Sequence, residues 1–254
     1  MIFCYTVIKK NKRGDWMITE ENSRTATMLG EGAVERLANA RVAVFGVGGV
    51  GGHLCEALAR AGVGAIDLFD SDEVSLSNLN RQIVALHSTV GRLKVDVMRE
   101  RILDIAPSCC VRAFPVFYLP ENADDYPLGE YDYIADAIDT VSAKVELAVR
   151  AAREGVSIIA AMGAGNRTDP TCFRVTDLFS TSGCPLARVM RRELKARGLT
   201  RLKVVFSDEP THKPADDAPL PQEAGRRVPP GSLPFVPSAV GLIMARQIVF
   251  DLIQ

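Results

Sequence analysis

Short apolar runs alternate with longer stretches of helical spacing through most of the chain. Val42, Ala43, Val44 and Phe45 form a run of strand length, and Leu54, Leu58 and Ala61 then recur at helical intervals up to a stop at Gly62. Further β-type runs follow at 65–69, 110–114, 131–135, 157–160 and 172–175, with helical stretches near 92–106 and 141–153 among them. Strands that alternate with helices predict an α/β fold: a largely parallel sheet with helices on both faces and its sites at the carboxyl ends of the strands.

Before this core the pattern is weaker. Residues 1–21 lack helical periodicity and read as an N-terminal arm, and a helix begins near Glu31 with Val34, Leu37 and Ala38 on one face. Residues 22–254 read as a single domain with its core at 41–180 and a C-terminal extension. That extension comprises a helix near 185–197, a strand near 202–206 and a proline-rich segment, the whole stretch from basic helix to prolines covering 183–237. Eight of the 14 prolines lie between 210 and 237, where regular structure is not expected. A closing helix at 238–253 directs Val240, Ile243, Met244, Ile248 and Leu252 inward.

The chain has 254 residues, of which 47% are hydrophobic and 24% charged, enough for a sizeable core without disulfide or metal staples. Lys plus Arg total 30 against 31 Asp plus Glu, so any binding to nucleic acid has to come from a local patch. The six cysteines form no C-x-x-C pair, which removes the usual zinc framework and fits a reducing cytoplasm. Residues 2–8 are apolar but carry their charges after them, the wrong order for a secretory signal. The apolar stretch at 228–245 is interrupted by Pro and Gly, so no transmembrane segment is expected.

Gly46-Val47-Gly48-Gly49-Val50-Gly51 follows a strand directly and opens a helix, the setting of a Rossmann-like phosphate turn. Asp70 stands at the interval of roughly 20 residues at which such folds place a ribose-binding carboxylate. These features alone fit a dinucleotide. The polar run from Asp70 through Asp72 and Asn78 to Arg81 and Gln82, with Lys94 beyond it, favours a triphosphate instead. Attack at its α-phosphorus creates a pyrophosphate leaving group, whose charge Arg81 and Lys94 could neutralise. Asp139, after the 131–135 run, could hold Mg²⁺ against the phosphates.

The pattern Gly-x-Gly-Gly-x-Gly, Asp70-x-Asp72-x-Val74-x-x-Ser77-Asn78-Leu79-x-Arg81-Gln82, Lys94 and Asp139 resembles the ATP-binding core of the ubiquitin-activating-enzyme-like superfamily, which includes ThiF and MoeB. The resemblance spans residues 23–177. It implies a ThiF/MoeB-type adenylation fold in which Gly46, Gly48, Gly49, Gly51, Asp70 and Asp72 belong to the ATP site. It also implies that Asn78, Arg81 and Lys94 address the triphosphate, that Asp139 serves the metal, and that the enzyme is a homodimer in which Arg24 reaches the partner's ATP. The stretches 42–51, 136–139, 163–165, 169–171, 175–178 and 185–187 are further similar to the tRNA threonylcarbamoyladenosine dehydratase family. This second resemblance implies that ATP activates the threonyl carboxylate of a modified adenosine and that the neighbouring carbamoyl group closes a ring, with net loss of water. The alternative within the superfamily is adenylation of a ubiquitin-like sulfur carrier, and a sulfur-relay or other protein partner fits either activity.

An RNA acceptor agrees with one further pattern. Arg188, Arg191, Arg192 and Lys195 are spaced i, i+3, i+4 and i+7, so a helix would gather four cations on one face for phosphate contacts. Cys184, at the start of that helix, reads as structural, because an acyl-adenylate that closes its own ring needs no enzyme thioester.

Overall fold

The computed structural model describes residues 19–213, 215 and 230–254. Residues 1–18 of the expected arm and most of the proline-rich segment lie outside the described residues. Two short helices, α1 (Ser23–Leu29) and α2 (Glu31–Asn39), lead into β1 (Arg41–Phe45), α3 (Gly51–Ala61) and β2 (Ala65–Phe69). The chain continues through α4 (Lys94–Ile105), β3 (Cys110–Phe114), β4 (Tyr133–Asp136), α5 (Val141–Glu154) and β5 (Ser157–Ala161). It closes with β6 (Phe173–Asp177), α6 (Pro185–Ala196), β7 (Lys203–Ser207) and α7 (Phe235–Leu252).

The strands form one sheet in the order β3-β2-β1-β4-β5-β7-β6, parallel except for the antiparallel β6–β7 pair. The expected α/β class therefore holds, with an antiparallel edge added. Along β1, Val42 and Val44 enter a core shared with α3, α4 and α7, while Ala43 and Phe45 enter a second core against α5. On that second face Phe45 stacks on Phe69 at 4.2 Å and Phe69 on Phe114 at 4.5 Å. The buried Asp67 interrupts β2, and Arg41 and Arg112 on the flanking strands supply its charge partners.

Among the departures from the sequence pattern, three have a clear structural cause. Helix α1 buries no residue, so it carries no apolar stripe by which to be recognised. Strand β4 starts at Tyr133 rather than 131, because the Tyr131 N–H turns back to Leu128 O. Helix α7 starts at Phe235 instead of 238, since Pro237 in a first turn sacrifices no intrahelical hydrogen bond. Helix α7 has the length and apolarity to cross a membrane, yet Val236, Val240, Met244 and Ile248 are fully buried in the sheet's core.

Candidate active site

From β1 the chain runs to β2 and β3 on one side and later to β4 on the other, so the carboxyl ends of β1 and β4 part at a topological switch point. A cavity of about 460 Å³ opens there. Its floor is formed by Gly46, Gly48, Gly49 and Val50 of the glycine turn, whose expected fourth glycine, Gly51, is buried beneath and does not itself line the cavity. A β-carbon on Gly51 would lie 1.7 Å from the Gly46 carbonyl oxygen, and one on Gly46 would lie 2.6 Å from that of Ala137. Gly46 also has a φ of 91°, a left-handed value that favours glycine. The backbone therefore folds tightly onto itself and onto the exit of β4, and brings the N-terminus of α3 to the cavity, where free N–H groups suit an anion.

Asp70 fixes the turn from the side. Its Oδ2 accepts the Val47 N–H at 2.7 Å and its Oδ1 accepts the Asp72 N–H at 2.9 Å. Burial pushes its pKa above the usual carboxylate range, while Lys94 and these two N–H donors pull it down. Each oxygen keeps a lone pair that can face a ribose hydroxyl. Lys94, at the first turn of α4, is 5% exposed and its Nζ donates to Asp72 Oδ2 at 2.7 Å. Asp72 thus serves as the counterion that holds Lys94 toward the cavity.

Asn78 and Arg81 come from the loop between β2 and α4 that starts with the 3₁₀ turn Leu76–Asn78. The buried Asn78 accepts the Ser75 N–H at 3.1 Å, which fixes that turn. Arg81 donates to Ser77 O and Asn80 Oδ1, both at 2.9 Å. Gln82, which sequence reasoning did not single out, also lines the cavity; it is 8% exposed and its Oε1 has no partner among the described residues. An unpaired buried amide oxygen beside a glycine turn is a ready acceptor for a ligand donor.

Asp139 projects at the mouth from the turn after β4. Beneath that turn lies a buried ion pair. Lys144 Nζ stands 2.8 Å from Asp136 Oδ2 and donates to Ile138 O at 3.2 Å, while Asp136 Oδ1 accepts the Ile138 N–H. Both backbone polar groups of Ile138 are thereby held from below. No group of three metal-ligating side chains occurs among the described residues. The donor set fits a Mg²⁺ ion held by one carboxylate together with phosphate oxygens, as that ion is commonly bound. The remaining walls are formed by Phe69 of β2 and Val116, Phe117 and Tyr118 after β3, and, later in the chain, by Ala164 and Gly165 after β5 and Pro230, Ser232 and Pro237 ahead of and within α7.

Other expected residues lie elsewhere. Arg24 is exposed on α1 and does not line the cavity of its own chain. On α6, Arg188, Arg192 and Lys195 are exposed, whereas Arg191 turns inward to donate to Thr181 O at 2.9 Å and to the Thr181 hydroxyl. Arg192 pairs with Glu193. Cys184 is 2% exposed within the core under α6, in keeping with a structural role.

Residues 21–251 match the ThiF family. The chain is 42% identical over 241 residues to the tRNA threonylcarbamoyladenosine dehydratase of Bacillus subtilis (strain 168), covering 91% of this chain and 94% of that one. It is 41% identical over 201 residues to the enzyme of the same name from Escherichia coli (strain K12), covering 76% and 75%. Among solved structures, E. coli tRNA N6-threonylcarbamoyladenosine dehydratase, TcdA, in complex with ATP superposes with a TM-score of 0.83 at 35% identity, over 93% of this chain and 96% of that one. The glycine turn, the cationic wall and the match along nearly the whole chain lead to one conclusion: this protein belongs to the ThiF family.

Proposed function

We propose that this protein catalyses the ATP-dependent dehydration of threonylcarbamoyladenosine in tRNA, as a cytoplasmic homodimer. The observation that carries the reading is the meeting of the glycine turn, Asp70, Arg81, Lys94 and Asp139 around one cavity, in a chain 42% identical to a dehydratase of that name. A threonyl carboxylate oxygen attacks the α-phosphorus of ATP; the new O–P bond forms as the bond to pyrophosphate breaks. The departing pyrophosphate takes negative charge, which Arg81 and Lys94 neutralise at the phosphate end. Asp70 orients the ribose and Gln82 offers its free acceptor. The carbamoyl group, held beside the acyl-adenylate by the substrate's own connectivity, then attacks the acyl carbon and expels AMP.

Asp139 would hold Mg²⁺, which when bound offsets phosphate charge. Arg24, exposed on α1, would serve the partner's site. The exposed Arg188, Arg192 and Lys195 supply phosphate contacts for tRNA, with Arg191 occupied in holding the Thr181 loop. Adenylation of a sulfur carrier is the competing activity, and no observation here favours it over the dehydratase.

The test is nucleoside mass spectrometry of modified tRNA incubated with the enzyme, ATP and Mg²⁺. Loss of water from threonylcarbamoyladenosine is expected, with one AMP formed per product. Arg81→Ala and Lys94→Ala should each slow turnover by about 10²-fold or more, the usual cost of removing a donor to developing charge. Unchanged nucleoside, with a sulfur-carrier peptide adenylated instead, would overturn the reading.

A further inference from the structure

The loop after β5 carries a residue that the reaction scheme leaves unused. Asn166 is the one described non-glycine residue with positive φ, at 56°, a conformation that asparagine tolerates better than other side chains. Its backbone N–H donates to Gly231 O at 2.8 Å, and its side-chain Oδ1 accepts the Gly231 N–H at 2.7 Å. Its carbonyl accepts the His212 N–H at 2.8 Å. One residue thus grips the chain at 212 and again at 231. The grip is anchored from behind by the buried Arg167, whose guanidinium donates to Gly163 O, Ser207 Oγ and Glu209 O. Beside it, a β-carbon on Gly165 would lie 2.7 Å from Pro230 Cβ, so the two segments are in close contact.

The gripped segment leads directly to the phosphate cations. Ser232 O accepts from Asn80 Nδ2 at 2.9 Å, and Asn80 Oδ1 accepts from the Arg81 guanidinium at 2.9 Å. Every link between Asn166 and Arg81 is therefore a hydrogen bond or a peptide unit. Asn80 can satisfy both neighbours only in one amide orientation, with its NH₂ toward Ser232 and its oxygen toward Arg81. We infer that Asn166 is a positioning residue: by clasping Gly231 it sets the Ser232 carbonyl, which orients Asn80, which in turn aims Arg81 at the leaving pyrophosphate. The inference rests on the reading of Arg81 as a triphosphate cation. It adds that the 230–232 wall acts on chemistry through Arg81 rather than only enclosing ATP.

The experiment measures kcat and ATP KM with modified tRNA, and ATP affinity by calorimetry, for full-length variants. Arg81→Ala comes first, since normal turnover in that variant overturns the reading of Arg81 and the inference with it. Given a slow Arg81→Ala, Asn166→Ala should lower kcat by about tenfold while ATP affinity changes by less than about twofold, as expected when a group important only in the transition state is misaimed. Asn166→Gly, which has no difficulty with the left-handed backbone but lacks the acceptor, should show the same loss even if the alanine variant folds poorly. Asn166→Asp keeps an acceptor for the Gly231 N–H and should recover most of the rate.

Asn80→Ala should lose as much as Asn166→Ala, and the double variant no more than either, because both break one chain of contacts. In the Arg81→Ala background, Asn166→Ala should have no further effect. Losses that multiply in either double variant, or an aspartate variant as slow as the alanine one, would overturn the inference and leave Asn166 with a purely structural role.

Discussion

Replacing Lys144 by methionine removes one charge of the buried pair beneath the Asp139 turn while keeping the length of the side chain. Lys144 and Asp136 are both 0% exposed and lie 2.8 Å apart. In the variant, the Asp136 carboxylate loses its counter-charge and Ile138 O loses a donor. Breaking a buried pair from one side costs about 3–5 kcal/mol. At about 2–4 °C per kcal/mol for a chain of this size, Tm should fall by roughly 6–20 °C.

The loss should also depend on pH. Burial already holds the Asp136 pKa above its usual value, with Lys144 opposing the shift, and the substitution removes that opposition. Below the unfolded pKa, about 4, the carboxyl is protonated in both states and its charge costs nothing. Above it the raised folded value costs stability in both proteins, but once the parent's carboxyl ionises it is paired with Lys144, whereas the variant's stays protonated or stands unpaired, so the variant's deficit should widen as pH rises from 5 to 7. Urea unfolding at the two pH values gives the difference from Cm at constant m. Adding Asp136→Asn removes the unpaired charge but keeps an acceptor for the Ile138 N–H, and should recover most of the loss. A deficit under about 1 kcal/mol, or a double variant no better than the single one, would refute this account of the turn.

Other outcomes follow from the same geometry. ATP should raise Tm by mass action while NAD does not, and Asp70→Ala should abolish the response because the Val47 and Asp72 N–H groups lose their acceptor; a calorimetric scan with each nucleotide decides it. Arg192→Ala with Lys195→Ala should lower the salt dependence of tRNA binding by about two units of slope. Arg191→Ala should instead lower Tm, since its guanidinium holds Thr181; titrations at several salt concentrations and a melting curve separate the two effects. Gly51→Ala should eliminate ATP binding in an equilibrium titration, because its β-carbon would meet the Gly46 carbonyl at 1.7 Å.

The parts of the site that were legible in the sequence are those whose chemistry and conformation coincide in one short run. The glycine turn is readable because the tight approach of Gly51 to Gly46 admits no other residue, and Asp70 because the end of β2 places it beside that turn. Arg81 and Lys94 are readable because they are cations following such a turn. Asn166 and the 230–232 wall left no comparable mark, since their contacts join segments far apart in the chain and use backbone groups that every residue carries. Gln82 stood in plain view within the motif, but its unpaired oxygen is a fact of packing alone. Helical spacing correctly gathered Arg188, Arg191, Arg192 and Lys195 on α6, yet spacing fixes only the direction of each Cβ. Arg191 is long enough to bend back to Thr181, so a face of four cations presents three outward.

The contact between α7 and α3 bears on the order in which the protein acquires activity during synthesis. A β-carbon on Gly241 would lie 2.4 Å from Val50 O and 3.0 Å from Leu54 N, so the two helices touch backbone to backbone beside the glycine turn, and Pro237 from α7 lies against Gly49. The glycine turn leaves the ribosome early, whereas the helix that braces it leaves far later. Domains tend to gain structure from the N-terminus during translation, and contacts between distant segments form last. A nascent chain that has emerged only through β7 thus has its phosphate turn but not the surface against which the turn is set. Nucleotide competence is in this sense a late event of biogenesis, for the setting of the turn waits on the packing of α7 against it.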